Sequence, residues 1–470
     1  MRAGIALLII ISIAVLSSAY GNVIIIPDDY NTIQAGLDAS QDGDTVIVQP
    51  GVYYENIVIE GHSVILASQF FATRDTMDIY NTVIDGDSLD TVVKLGDWND
   101  PGSILYGFTI TNGASVYCGG GVYVENSSVI SHNIIENNIT SRGGGIHVVG
   151  NAIISDNIIR NNHVTVAGGG IITYGGSFII ERNIIQDNVS DHYGGGIHIE
   201  DSQFAILQDN VITGNRSNSH GGAIVFYTED MGGQLTGNLI AGNITDNGNS
   251  VEFSPGEYDI SNNTICNNSG TEYGVSFREY CTASFVNNIL WDYPDQQLFV
   301  GPNSTVSANY NDIRGGFGGI GNIDSYPMFV DTSNGDFHLM AGSPCIDTGD
   351  PGAPYDPDGT VVDIGAFYFD QLVGIDDERM GRPEIFVLLD NYPNPFNAAT
   401  RISFVLPESQ RAELTIFDLL GRMVAKPIDG HLQAGRHELV FDASDLASGV
   451  YLYQLRAGDR TETRTMTLIK

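Results

Sequence analysis

The sequence predicts an all-β chain: a parallel β-helix, one strand wound into a solenoid of stacked turns, followed by a small antiparallel β-sandwich. Three observations predict it. Glycine clusters, GGG at 119, 143, 168 and 194 and then Gly221-Gly222-Ala223, begin 24, 25, 26 and 27 residues apart. An asparagine motif keeps step with them: Asn, two mostly aliphatic residues, two variable ones, then Asn, starting at Asn133, Asn157, Asn183, Asn210, Asn238 and Asn263, with a seventh start at Asn288. Beyond residue 370 the periodicity stops, glycine density falls, and short apolar-alternating runs take over.

The period selects among repeat folds. A strand rises about 3.3 Å per residue, so roughly 25 residues make three short strands with corners, one full turn of a β-helix. Helical repeats run to about 33–47 residues and need amphipathic helices, whereas these segments are rich in Gly, Asn, Val and Ile. Leucine-rich repeats share the period and an asparagine ladder, but Ile and Val stand here where their spaced leucines would be.

Within one turn, residues 143–162 read GGGIHVVGNAIISDNIIRNN, in which Ile146 and Val148 alternate with His147 and Val149, the period of 2 of a strand with one face in the core. Asn157 falls where the chain must bend, and asparagine tolerates left-handed backbone angles. Its amide can also bond the same residue in the turns above and below. Stacked asparagines (Asn133, Asn157, Asn183, Asn210, Asn238, Asn263, Asn288) are therefore expected to form a ladder that fixes register. The glycines, lacking Cβ, permit a tight bend and close approach of successive turns.

The ends and the composition bound the rest. Residues 5–16 form a short apolar run behind Arg2, followed by Ser17-Ser18-Ala19, which reads as a signal peptide over residues 1–21 and Sec-dependent export. No other stretch approaches the roughly 20 apolar residues of a spanning helix, so no transmembrane span is expected in the mature chain. The net charge is −37, and it is uneven: residues 22–384 hold 10 Lys+Arg against 47 Asp+Glu, residues 385–470 hold 9 against 10. Such a surface excludes nucleic acid and anionic lipid as partners. It leaves uncharged glycans, or polyanionic ones bridged by calcium, whose preferred ligands are carboxylate oxygens. The four cysteines, Cys118, Cys266, Cys281 and Cys345, form no CxxC pair and no disulfide scaffold; a Cys266–Cys281 bond is left open.

Residues 32–39 suit one short amphipathic helix with Ile33 and Leu37 inward, which would plug the open end of the coil. With GDTVIVQPGVYYENI at 43–57, this segment closely resembles the N-terminal part of the pectin-lyase-like right-handed β-helix proteins. At the far end, GSPCIDTG at 342–349 and DIGAF at 363–367 are similar to that family's last turn, which closes the helix with an irregular loop. The resemblance covers residues 27 to about 369 and implies a right-handed coil over residues 22–369. There is room for about 11–12 turns, a rod about 55 Å long at the ~4.8 Å strand spacing.

A linker over residues 370–387 leads to a second module at 388–470. Its alternating segments, 401–406, 413–417, 437–441 and 449–455, are separated by Pro, Gly and Asp turns, as in a small antiparallel sandwich. NYPNPFN at 391–397, FDLLGR at 417–422 and SGVY at 448–451 closely resemble the type A C-terminal sorting domain of the type IX secretion system. That resemblance implies an address read by the type IX secretion machinery, and a protein that is secreted or held on the outer cell surface.

The pectin-lyase-like group holds lyases, hydrolases, esterases and adhesins, so activity has to come from residues. The hydrolase strings Gly-His-Gly and Arg-Ile-Lys are missing, and Lys94 is the only lysine of residues 22–369, which leaves little for a lyase base. One lateral face remains. Positions outward by alternation stack as Tyr123 with Glu125, His147 with Val149, Ile172 with Tyr174, His198 with Glu200, and Val225 with Tyr227, flanked by Arg142, His192, Tyr193 and His220. Tyr123, His147, Tyr174, His198, Glu200 and Tyr227 are the candidate carbohydrate-binding residues, since rings in a shallow row suit sugar faces. Glu125 and Glu200 would lie about 14 Å apart, beyond a glycosidase pair, and His147 and His198 about 10 Å apart, too far to share a metal. Asp356, Asp358 and Asp363 around Gly359 resemble a short calcium loop without the full ligand pattern. No cofactor is required, and calcium is the one suggested. The sequence thus favours a secreted β-helix that binds extracellular polysaccharide, with a polysaccharide lyase or glycoside hydrolase, and a structural stalk or adhesin, as the alternatives.

Overall fold

The computed structural model describes residues 21–371 except 98–99, 228–230, 271 and 293–296, and residues 387–468 except 389–390, 392–395, 397, 407–408, 418–421, 434, 445, 447–448 and 459. All but the last residue of the expected signal peptide and nearly all of the linker lie outside the described residues, as do parts of the three sorting motifs. The chain divides into two compact units, one running up to residue 68 and from 79 to 369, the other from 370 onward together with residues 69–78. No helix among the described residues is long and apolar enough to cross a membrane.

The first unit is the predicted coil. Parallel strands stack into three long sheets of 12, 10 and 11 strands. In the turn read above, Ile146–Val149 belongs to the 10-stranded front sheet, Ala152–Ser155 to the 12-stranded side sheet and Ile158–Arg160 to the 11-stranded rear sheet. Register follows the sequence period: Ile146 pairs with Ile171, then Ile197, Ile224, Val251 and Val275. Alternate side chains fill the interior, with Ile146, Val148, Ile154 and Ile159 fully buried. Where three sides were expected, five middle turns carry a fourth, a short corner sheet that includes His163–Ala167. The residues between the second Asn and the glycines are numerous enough there to form one more strand.

Asparagine forms two ladders, not one. The expected ladder runs from Asn133 to Asn288 and continues to Asn311 and Asn322, each Nδ2 donating to the next Oδ1 at 2.9–3.1 Å. The closing Asn of each motif makes the second: Asn138, Asn162, Asn188, Asn215, Asn243 and Asn268, which ends on Asp292. Burial pushes that terminal carboxyl up to about 7. The left-handed angles expected of the ladder residues belong instead to their predecessors, such as Asp156 (φ 58°), Arg182 (53°) and Asn262 (54°). That residue makes the bend and leaves the next Asn aimed inward. The first glycine of each cluster also has positive φ (66° at Gly143), and a Cβ on Gly169 would lie 2.4 Å from the Gly195 carbonyl, so close stacking requires glycine there.

The N-terminal cap is the helix Ile33–Ala39, capped by Thr32, whose hydroxyl accepts from the Ala35 N–H at 3.2 Å; Ile33 and Leu37 are buried. Its first turn is anchored by Glu55, which accepts the N–H groups of Ile33 and Gln34 at 2.9 Å each. The Gln34 amide donates to the Val58 carbonyl at 3.0 Å and accepts the Val58 N–H at 2.9 Å, occupying the strand edge as a neighbouring backbone would.

The far end differs from the single closing loop that the resemblance implied. Residues 315–323 close the coil, with Asn322 extending the ladder and Ile323 bridging to Asp312. Residues 329–367 then turn back along the outside of the rear sheet. There Phe337, Cys345 and Ile364 pack on Leu239, Cys266 and Ile289, and the Gly365 and Ala366 N–H groups bond Asn287 O (2.8 Å) and Thr264 Oγ1 (3.0 Å). All four cysteines are thiols; Cys345 Sγ donates to Asp312 Oδ2 at 3.2 Å.

The second unit has two antiparallel sheets of three and four strands around one core that includes Phe404, Leu414, Ile416, Tyr453 and Leu455. The four expected strands are present, and Val387–Leu388, Met423–Leu432 and Arg460–Leu468 join them. Met423–Leu432 is an edge strand carrying Pro427, and Arg460–Leu468 buries only its last apolar positions, so neither shows the full alternation of a core strand.

Candidate functional site

The front sheet owes its outer face to the same alternation that fills the core. One outward column reads Lys94, Tyr123, His147, Ile172, His198, Val225, Glu252, Ser276 and Phe299, in register from turn to turn. A second column places Val149, Tyr174, Glu200 and Tyr227 in line. The predicted residues therefore meet as three groups. Tyr123 stands edge-on to His147, ring centres 5.3 Å apart; Tyr174 and Tyr227 flank Glu200; and His198 lies 6.3 Å from both Tyr193 and Tyr227.

Exposure separates them. Tyr174 and Tyr227 are open to solvent, 44% and 57% exposed, whereas His147 and His198 are only 6% and 3% exposed. Burial pushes their imidazoles down, His147 to about 4 and His198 to about 3, so both rings are neutral under ordinary conditions. The His198 Nδ1 has no hydrogen-bond partner among the described residues, and its Nε2 lies 3.8 Å from Glu200 Oε2. Burial and a hydrogen bond donated to Glu125 at 2.8 Å both raise the Tyr123 phenol.

The lysine and arginine side chains of this face among the described residues are all engaged. Lys94 Nζ donates to Glu60 at 3.0 Å and lies 3.9 Å from Glu125. Arg142 Nη1 donates to Glu200 Oε2 at 2.7 Å. Arg278 Nε lies 2.7 Å from Glu252 Oε1.

Toward the C-terminal turns the face deepens into a cleft of about 1170 Å³, walled by Tyr227, Tyr273, Phe299 and Pro302 and rimmed by Asp201, Glu272 and Glu279. Tyr273 and Phe299 are in contact, ring centres 4.8 Å apart. Beside it sits Glu252, 2% exposed, which accepts from Asn249 Nδ2 at 2.8 Å and pairs with His220 Nδ1 at 3.1 Å and with Arg278. Burial would raise its carboxyl, but those donors hold it below the ordinary carboxylate range; the same contact raises His220.

Of the expected site residues, Tyr227 alone lines this cleft; Tyr123, His147 and Tyr174 lie in earlier turns, while His198 and Glu200 adjoin it through Tyr227. Glu252, Tyr273, Arg278 and Phe299 were not foreseen, because the glycine clusters that index the columns end at Gly222. The second asparagine ladder carries the index onward: Asn243 and Asn268 each precede a front strand, Val251–Phe253 and Val275–Phe277.

The suggested calcium residues lie in the returning segment. Asp356 Oδ2 accepts the Asp363 N–H, Asp358 Oδ1 accepts from Thr360, and Asp363 accepts the Asp347 and Phe369 N–H groups. These carboxylates cap turns, and no group of three or more His, Cys, Asp or Glu placed to hold a metal occurs among the described residues.

Residues 98–265 match the family described as a right handed beta helix region, and residues 390–470 match the family described as a secretion system C-terminal sorting domain. No match was found among curated proteins.

Proposed function

We propose that this chain, a secreted right-handed parallel β-helix carrying a type IX sorting domain, binds extracellular polysaccharide along its front sheet, in the cleft between Tyr227 and Phe299. The supporting observation is the pairing of open aromatic rings with a preset polar wall. Tyr227, Tyr273 and Phe299 offer flat apolar surfaces for sugar faces, and Ser276, Asn249 and the rim carboxylates offer partners for hydroxyls. Glu252, clamped by three partners, holds that wall rigid, so little ordering cost falls on binding. The sorting domain explains delivery: it takes the coil to the compartment where such polymers are found.

The test is retention of the full chain on a panel of plant, algal and bacterial polysaccharides, with products followed at the same time. Retention without new reducing or unsaturated ends is expected. Tyr227→Ala, Tyr273→Ala and Phe299→Ala should each weaken it about tenfold or more, given the ~1.4 kcal/mol or more that a stacked ring contributes. Binding that survives all three substitutions would discard the cleft. Release of unsaturated ends would replace this reading with a lyase.

A further inference from the structure

We infer that the cleft selects glycan chains that lack carboxylate and sulfate groups and gains affinity from sugar amino groups; this rests on the glycan-binding reading above. The argument is a balance of charge at named positions. Four carboxylates lie in or beside the cleft, Asp201, Glu252, Glu272 and Glu279, against one guanidinium, Arg278. Arg278 is already spent on Glu252 at 2.7 Å, and His220 is turned to the same carboxylate at 3.1 Å. The other cations along the face are spent in the same way, Lys94 on Glu60 at 3.0 Å and Arg142 on Glu200 at 2.7 Å. Asp201, Glu272 and Glu279 are exposed on the rim; none forms a salt bridge with any described residue, and Glu272 is near enough to His220 to help raise it.

A uronate or sulfated chain entering here would bring negative groups to within a few ångströms of three unneutralised carboxylates and find no uncommitted cation. Extracting Arg278 to meet it would strand Glu252, 2% exposed, as an unpaired buried charge. An uncharged chain meets neither difficulty and keeps the contacts to Tyr273 and Phe299. A chain bearing ammonium groups gains twice, from the rim carboxylates and from the faces of the same rings.

The experiment uses the full chain at low salt, with two matched pairs of probes: oligogalacturonate against its carboxyl-reduced form, and de-acetylated against acetylated chito-oligosaccharide. The expected result is binding of the reduced oligomer about tenfold or more tighter than the uronate, and of the amino oligomer about tenfold tighter than the acetylated one. High salt should shrink both ratios, since the Debye length falls to about 3 Å at 1 M and the exposed rim charges are then screened even at short range. The triple variant D201N/E272Q/E279Q, altered only at exposed rim positions, should bring both ratios near one. The inference is overturned if the uronate binds as well as its reduced form, if added calcium raises the uronate above it, or if the triple variant leaves the ratios unchanged. If Tyr273→Ala and Phe299→Ala leave every affinity intact, or no probe is bound, the cleft itself is wrong, which is a different failure.

Discussion

The front and rear sheets of the coil are built from short strands with the same inward packing, yet their outer faces have opposite fates. On the rear sheet one outward column reads Ile134, Ile158, Ile184, Val211, Leu239, Thr264 and Ile289, nearly all apolar, beside a second that runs from Glu136, Arg160, Gln186 and Thr213 to Ala241, Cys266 and Trp291, and its last turns are roofed by residues 329–367. On the front sheet aromatic, charged and imidazole side chains outnumber the aliphatic Val149, Ile172 and Val225 at the outward positions, and the face stays open as a cleft toward its C-terminal turns. Inward alternation specifies only that a coil forms. What covers the outside is decided by the other half of the residues, and a strand apolar on both sides calls for a roof.

Substitution within one rear column breaks this comparison most directly. Ile289→Asp, beneath Ile364 and Phe337, buries an unpaired carboxylate and should cost about 4 kcal/mol, lowering the thermal midpoint and opening the C-terminal segment to protease. Ile158→Asp, five turns earlier in the same column and only half-buried, should cost less than about 1 kcal/mol. Equal losses would mean that the returning segment is not what distinguishes the two ends.

The ladders, shared by both faces, come next. Asn210→Ala removes the acceptor of the Asn183 N–H and Nδ2 and the donor to Ile180 O and Asn238 Oδ1, all buried, and should cost about 3 kcal/mol. Asn322→Ala, at the part-buried end of the same ladder, should cost about 1 kcal/mol by loss of its contacts to Asn311. Because each turn contacts only its neighbours, the melting profile of the Asn210 variant should show early opening around that turn rather than a uniform shift.

Much of this was legible in the residues. The turn length, the strand register, the Asn133-to-Asn288 ladder and the order of the front columns all follow from spacing, because a 2-residue side-chain period and stacked identical turns leave no other arrangement, and the capping helix, expected at 32–39 and found at Ile33–Ala39, follows from its own amphipathic pattern. Two things were hidden for physical reasons. The roof was missed although the motif announced it where the roof lies: Leu239-Ile240 and Ile289-Leu290 are aliphatic on both faces of the strand. The cleft was missed because Glu252, Arg278 and Phe299 come from three turns without a glycine cluster, and their meeting depends on side-chain reach across turns rather than on spacing.

The next effect, smaller than the losses expected of Ile289→Asp and Asn210→Ala, sharpens the front face alone. His147 and His198 are buried as neutral rings with values held down to about 4 and about 3. A base with a lowered folded value contributes nothing unfavourable above its unfolded value of about 6.5, and costs stability as pH falls from there toward the folded value. At pH 5 each ring should therefore remove about 2 kcal/mol relative to pH 8. The His220–Glu252 pair works in the opposite direction over the same range, because the raised His220 gains from its partner below about 6.5 and loses that gain only as pH rises through its folded value. The clean measurement is thus the difference between the protein and His198→Leu. That variant should lose the part of the acid slope between pH 6.5 and 5 that belongs to His198 while keeping the contribution of His220. An unchanged slope would mean that His198 takes up its proton freely in the folded state, and that the front face is wetter around Tyr193 and Tyr227 than its geometry implies.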